Sequence, residues 1–427
     1  MNIATPSIVA DANSDAASAK VDAIRRKVID VAALPLTRAA TLPREAYTEE
    51  DYFAFERRTV LEAGWMCVAH VSELKDPGSF VALDLLGEPL IIVRTREGDI
   101  RVLSRVCAHR AMDIMPDCTG EPHAGSATVL TCPYHRWVYN LDGSLRGCPH
   151  MERAADFNKP DWRLAEFRSE IWNGFVFVNL DGAAPPLAAQ YADFAALVAP
   201  WRADEMEIVI RLAWDCTFNW KVMIENWMES YHHVGAHLAT LEPTMPGRNT
   251  WTDAEHPHFI RAHLPFTETL KHDLKAAFDT GRRLPGFRPL DGLSFAQQSE
   301  WGLYLGYPCF MFLTMRDRLL WYRLLPVSAE RCRLETMMLV PRASLADPDI
   351  AATIEAETRV LRDFHGEDMV VNTAVQRGLR SSRAVRGRLS HLEEPIWLIQ
   401  RYLAARAQGT YPARAERAPY SGPLAQA

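Results

Sequence analysis

Residues 107–145 read CAHRAMDIMPDCTGEPHAGSATVLTCPYHRWVYNLDGSL. Cys107-Ala-His109 and Cys132-Pro-Tyr-His135 set two thiols and two imidazoles in a pair of short loops. ATVLTC before the second loop and RWVYN after it read as short strands, so both loops belong to a β-rich region. Three chemistries suit such residues: buried thiols beside surface histidines, a structural zinc site, or an iron–sulfur centre. The chain holds 8 cysteines in 427 residues, too sparse for the framework of a secreted disulfide scaffold, and the paired Cys/His spacing points to metal.

Outward from these loops the β pattern continues. FVALDLLGEPLIIVR and IRVLSRV, separated by the turn-like TREGD, predict antiparallel strands between residues 80 and 106, and NGFVFVNL predicts another after the second loop. Residues from about 60 to 182 therefore read as all-β. DGAAPP at 181–186 reads as a linker. Beyond it, EIVIRLAWDC, FMFLTM, LLWYRLLPV and CRLETMMLVPR predict strands, and Asp347-Pro348 supplies an N-cap and first-turn proline for a long helix over residues 350–377. Strands followed by a long helix make an α+β domain. Residues 1–40 read as a loose arm with a short helix at 21–31, and order is expected from Tyr47.

Composition narrows the function classes. With 48% hydrophobic and 24% charged residues the chain reads as a soluble globular protein, and its length exceeds what one hydrophobic core usually supports, which predicts two domains. A net charge of -7 with scattered Lys and Arg excludes a nucleic-acid footprint. The first 20 residues lack the cationic start and apolar core of a signal peptide or membrane span, so a cytoplasmic location is expected.

Two later stretches carry further candidate ligands. NWKVMIENWMESYHHVGAH at 219–237 has helical apolar spacing over residues 220–236, and contains His232, His233 and His237. On a regular helix His233 and His237 share a face, whereas His232 and His237, five apart, diverge. Gly235 can break the helix between them. GEDMVVNTAVQRGLRS at 366–381 brings Glu367 and Asp368 onto the long helix, with Asp363 just before them.

Together these stretches resemble the Rieske non-haem iron oxygenases of the ring-hydroxylating type, specifically their terminal oxygenase alpha subunit. CAHR and CPYHRWVYNLDGSL resemble the two cluster loops, including the Trp and the Asp-Gly turn, and NWKVMIENWMESYHHVGAH and the Glu-Asp segment resemble the two parts of the iron site. The resemblance runs from about residue 45 to 405, including EAGWMCVAH and VRGRLS. It implies a 2Fe-2S Rieske cluster on Cys107, His109, Cys132 and His135, where imidazole ligation raises the potential above that of all-cysteine clusters. It implies a mononuclear Fe(II) on His232, His237 and Asp368, with positions left open for O2; His233 is the runner-up to His232, and Asp363 and Glu367 are solvent-face candidates. Glu229 corresponds to the acid that bridges an iron histidine to the partner subunit's His135, and Asn226 and Tyr231 flank the site.

The implied fold is α+β: an all-β Rieske domain (60–182) inserted in a helix-grip (START/Bet v 1-like) catalytic domain (46–59 and 187–427), after an arm (1–45). The implied partners are a separate NAD(P)H reductase with or without a ferredoxin, O2, a small organic substrate, and further copies in a homotrimer with or without a beta subunit. Ring hydroxylation or dihydroxylation and oxidative demethylation of a small amine all use this metal pair, and Glu229 in place of the usual aspartate favours the quaternary-ammonium (betaine, carnitine or choline-like) monooxygenases. Trp227, Trp251 and Trp301 are candidates to cage a cation. A non-catalytic Rieske electron-transfer protein is the reading from another class. The chain departs from the family pattern at Ala111 and Arg136, where glycine is common, and in a longer stretch containing Cys118 and His123. Cys148-Pro-His150 imitates the first loop but lacks a following CxxH, and falls where the family covers its cluster.

Overall fold

A computed structural model of the chain describes residues 12–118 and 122–411. The apolar alternation and turn signals before the first loop become Met66–His70 (β1), Ser79–Leu85 (β2), Glu88–Arg94 (β3) and Ile100–Ser104 (β4). After it come His123–Ser126 (β5), Leu130–Thr131 (β6), Val138–Tyr139 (β7), Leu145–Gly147 (β8), Glu166–Trp172 (β9) and Phe175–Asn179 (β10). They form a seven-stranded sheet ordered β1-β10-β9-β4-β3-β2-β5 and a three-stranded sheet β6-β7-β8. The long stretch between the cluster loops supplies β5, which pairs with β2 at the sheet edge. Arg105, fully buried, ties that stretch down: Nη2 lies 2.6 Å from Asp84 and 3.0 Å from Asp113, and Nη1 donates to the Cys118 carbonyl at 2.9 Å.

The second half is one antiparallel sheet under a helix. Met206–Cys216 (β11), Trp251–Thr252 (β12), Phe259–Pro265 (β13), Glu300–Gly306 (β14), Phe310–Thr314 (β15), Leu319–Ser328 (β16) and Arg331–Pro341 (β17) are ordered β11-β17-β16-β15-β14-β13-β12. Helix Ile350–Leu379 crosses β11 and the helix Trp220–Met228. Its buried stripe, Leu361, Phe364, His365, Asp368, Asn372 and Gln376, follows helical spacing, yet four of these six are polar. Such a face requires partners across the interface, and it supplies side chains to the site described below. Asp347 does not cap this helix as expected, because its carboxylate is taken by Arg283 at 3.2 Å and Arg288 at 2.5 Å; Asp349 holds the N-cap position without a side-chain bond.

The chain before β1 is less loose than its composition suggests. Residues 1–11 of the expected arm lie outside the described residues, but the helix expected at 21–31 extends over Ala12–Ala32 and packs on Glu394–Gln408 through buried Ile24, Val28 and Val31. Order thus begins well before Tyr47. Residues just ahead of β1 are bonded to the second half: Tyr47 Oη donates to Glu225 at 2.8 Å, and Lys221 Nζ donates to Glu56 at 2.6 Å in a fully buried pair. Buried Arg323 on β16 reaches the other way, donating to the Val68 carbonyl at 2.7 Å and to Glu335 at 2.6 Å. No helix among the described residues is long and apolar enough to cross a membrane.

Ala111 and Arg136, where the resemblance leads one to expect glycine, both take the left-handed backbone that favours glycine, with φ of 54° and 60°. A left-handed conformation costs a residue with a Cβ roughly 1–2 kcal/mol, while glycine gives back part of this in chain entropy. Arg136 is exposed, so Arg136→Gly should raise stability by about 0.5–1 kcal/mol, read as a higher thermal midpoint, and Arg136→Val should lower it.

Candidate active site: two metal centres

The cluster loops repeat one turn. The Cys107 carbonyl accepts from Ala111 N at 3.0 Å and Cys107 N donates to Met112 O at 2.8 Å; the Cys132 carbonyl accepts from Arg136 N at 3.1 Å and Cys132 N donates to Trp137 O at 2.8 Å. Each turn requires the left-handed residue just described, four positions after the cysteine. Both thiols are buried, and Tyr139 Oη lies 3.1 Å from Cys107 Sγ while accepting from Ala108 N at 3.1 Å. Burial pushes the Cys132 thiol up, opposed by the N–H groups of Tyr134 and His135 directed at it.

His109 stacks on Trp137 at 4.8 Å and 5°, and its ring centre lies 4.8 Å from that of His135. His135 Nδ1 is buried without a hydrogen-bond partner. A buried ring nitrogen left bare is costly unless something fills it, and beside two thiols with N–H donors around them an iron–sulfur cluster fits. Cys148 is half-buried against the apolar cluster that also contains Cys107 and Cys132.

The iron-site stretch folds differently from its periodicity. The helix expected over 220–236 ends at Met228. Glu229 is extended, with φ -112° and ψ 152°, and its carboxylate turns forward to accept from His232 N at 3.0 Å and His232 Nδ1 at 2.8 Å. A side chain serving the next turn in this way competes with helix continuation, so the break falls at Glu229 and not at Gly235. The backbone then runs through a 3-10 turn, Tyr231–Val234. Gly247 packs against the break so closely that a Cβ there would lie 2.1 Å from the Ser230 carbonyl.

The break redirects the histidines. His232 and His237 now converge, with ring centres 5.0 Å apart, and the Nε2 atoms lie 3.7 Å and 3.1 Å from Asp368 Oδ1. The candidate ligand atoms of His232, His237 and Asp368 all lie within 4.8 Å of one another. His233 turns into the core, where Nδ1 donates to the Met245 carbonyl at 2.9 Å and burial pushes its imidazole down to about 4. Burial alone would raise the Asp368 carboxyl, but the His237 hydrogen bond and the surrounding imidazoles outweigh it and hold it low. Two imidazoles and an ionised carboxylate facing one point suit a ferrous ion with open positions.

Glu367, placed on the solvent face by helical periodicity, accepts from His237 Nδ1 at 2.7 Å and from Thr240 Oγ1 at 2.7 Å. Each histidine thus has a carboxylate on Nδ1 and its Nε2 toward Asp368, the arrangement that fixes ring orientation in metal sites. Nothing in the local sequence marks Glu367, because its partner lies 130 residues away. Asn226 borders the site and accepts from Asn372 Nδ2 at 3.2 Å. Tyr231 is 47% exposed and does not line the cavity.

The cavity at these ligands, about 40 Å³, is walled by Trp227, Leu264, Trp301, Leu313, Tyr322 and Phe364 among others. His365 also lines it and is held by Tyr322 Oη at 3.0 Å and the Leu361 carbonyl at 2.8 Å. Trp251 lies outside it, stacked on His263 at 4.5 Å, so it cannot cage a substrate there.

Residues 64–166 match the Rieske 2Fe-2S domain family, and residues 201–409 match the ring hydroxylating alpha subunit (catalytic domain) family. The carnitine monooxygenase oxygenase subunit of Escherichia coli strain K12 is 34% identical over 201 residues, 47% of this chain and 52% of that protein. The glycine betaine monooxygenase oxygenase subunit of Pseudomonas aeruginosa PAO1 is 26% identical over 222 residues, 52% of this chain and 49% of that protein. The chain spans about half the length of the curated relatives it matches. Among solved structures, a quaternary ammonium Rieske monooxygenase in complex with L-carnitine superposes with a TM-score of 0.71 at 26% identity, over 89% of this chain and 99% of that one. Naphthalene 1,2-dioxygenase from Rhodococcus sp. shares the fold, with a TM-score of 0.70 at 17% identity over 92% of this chain and 99% of that one. With the cluster domain, the catalytic domain and their order all matched, the chain belongs to the Rieske ring-hydroxylating oxygenases as an alpha subunit, a family built on a Rieske 2Fe-2S cluster and a mononuclear iron.

Proposed function

We propose that this chain is a terminal oxygenase in which Cys107, His109, Cys132 and His135 hold the cluster and His232, His237 and Asp368 hold the ferrous iron. The observation that carries this reading is the convergence of those three side chains beside a cavity, each imidazole backed by its own carboxylate. The iron, when bound, supplies activation of O2 with electrons drawn from the cluster. The protein's own contribution is positional. Glu229 and Glu367 hold the imidazoles, the apolar walls exclude water, and Asn226 borders the substrate space.

Glu229 has a further role in this reading, bridging His232 to His135 of the partner subunit in a homotrimer. Electrons come from a separate NAD(P)H reductase, directly or through a ferredoxin, in the cytoplasm. The substrate is a small compound bearing a methylated ammonium group, oxidised by monooxygenation. Three observations support that class: the relatives named for carnitine and glycine betaine, the glutamate at position 229, and the aromatic faces of Trp227, Trp301 and Tyr322 around the cavity. Arene hydroxylation is the second reading, favoured by the leucine-rich remainder of the wall. A screen of methylammonium compounds against arenes under labelled dioxygen separates them. Labelled oxygen or released formaldehyde with the former alone is expected, and incorporation into arenes alone would replace the substrate class.

Asp368→Ala and His237→Ala should each lose the mononuclear iron and all turnover while the cluster spectrum persists, because the cluster ligands sit in loops of the first half, whereas the iron ligands sit on the turns after Met228 and on helix Ile350–Leu379 of the second. Asp363→Ala should keep both centres. Iron quantitation beside visible spectra checks this, and full iron in Asp368→Ala would reassign the carboxylate.

Glu229→Gln should retain both metals yet slow single-turnover oxidation of the reduced cluster on the order of 100-fold, since the amide cannot accept from two imidazole N–H groups as the carboxylate does. An unchanged rate would reduce Glu229 to a helix-ending residue.

A further inference from the structure

The iron cavity is mostly apolar, yet the proposed reaction needs protons delivered to it. Monooxygenation converts one C–H bond, one O2, two electrons and two protons into one C–OH and one water. Behind the cavity, across the backbone of Met228 and Ser230, lies a second cavity of about 20 Å³ whose lining includes Thr250, Thr252, His391 and Glu394. Ser230 is the one described residue that borders both. It is 2% exposed, and its hydroxyl is buried with no hydrogen-bond partner.

Leaving a buried hydroxyl unpaired is costly, so stability alone gives no reason for a serine here. The second cavity exceeds the roughly 10–15 Å³ that one ordered water needs, and its lining offers the polar partners such a water requires. Thr250 Oγ1 donates to the Gly247 carbonyl at 2.8 Å, which leaves its oxygen free to accept. His391 is exposed and opens the far side to solvent. Glu394 stands half-buried beside it, and burial raises its carboxyl, which favours its carrying a proton.

We propose that Ser230 is a proton relay between this hydrated chamber and the iron cavity, an inference that rests on the oxygenase reading. The Ser230 hydroxyl gives its proton to the oxygen being reduced and takes one from the water behind it, which is replenished from solvent past Glu394 and His391. Serine is unchanged after each pass. Two passes supply the two protons, while the electrons come from NAD(P)H through the reductase.

The test uses the full chain with both metals and two readouts. In a high-resolution crystal structure, an ordered water should lie within hydrogen-bond distance of Ser230 Oγ in the smaller chamber, and a dry chamber would overturn the relay. With whichever methylammonium or arene compound the wild type oxidises, Ser230→Ala should keep full metal content and KM, lose kcat by about tenfold or more, and show a larger solvent deuterium isotope effect. Ser230→Thr should restore both. Wild-type kcat and isotope effect in Ser230→Ala, or a loss of activity that only follows lost metal, would refute the relay. A wild type that oxygenates nothing would refute the oxygenase reading, and the chamber's hydration would still judge the relay.

Discussion

The catalytic half depends on one carboxylate that refuses to let a helix continue. Glu229 accepts from both the backbone N and Nδ1 of His232. Charge-assisted hydrogen bonds of this kind are each worth about 1.5–3 kcal/mol net, more than one further turn of a short helix contributes. Had the helix run on, His232 and His237 would have projected about 140° apart. With the break, they meet Asp368 from a helix that begins more than a hundred residues later, and His233 is left to the core.

The same logic of pre-set orientation recurs at the other centre with different means. There the two cysteines are held by matching turns, one imidazole by stacking on Trp137, and the other remains bare at Nδ1. The turns need left-handed residues and are built even though Ala111 and Arg136 are not glycine, so the surrounding contacts sustain the strain. The two halves are joined by buried polar links, such as Arg323 to the Val68 carbonyl, that would be left unsatisfied if either moved.

Much of this was legible in the sequence, and the exceptions share a cause. Strands β2 to β4 and β15 to β17 announce themselves by apolar runs between turn signals, and the side chains proposed to hold the metals stand in motifs whose residue types carry that chemistry. Apolar spacing continues past Met228, where the helix ends, while the competing side chain of Glu229 leaves no mark on periodicity. Helix Ala12–Ala32 is the opposite case: its Ala, Ser and Asp content looks loose, and its burial comes from helix Glu394–Gln408, far along the chain. Strands β13 and β14, which wall the site with Leu264, Trp301 and Leu303, are not marked by apolar runs between turn signals. Helical periodicity puts Glu367 on the solvent face because its partner, His237, lies in another element. In each case a long-range contact decided what local pattern could not.

The central claim is that one chain carries two distinct iron centres, and iron quantitation combined with electron paramagnetic resonance of the anaerobically reduced, full-length protein tests it most directly. Two sulfide-bridged irons giving a signal characteristic of mixed cysteine and histidine ligation are expected, with a third iron that nitric oxide converts into a separate mononuclear ferrous signal. Zinc in place of the cluster irons, or a cluster signal of the all-cysteine kind with no third iron, would contradict the account.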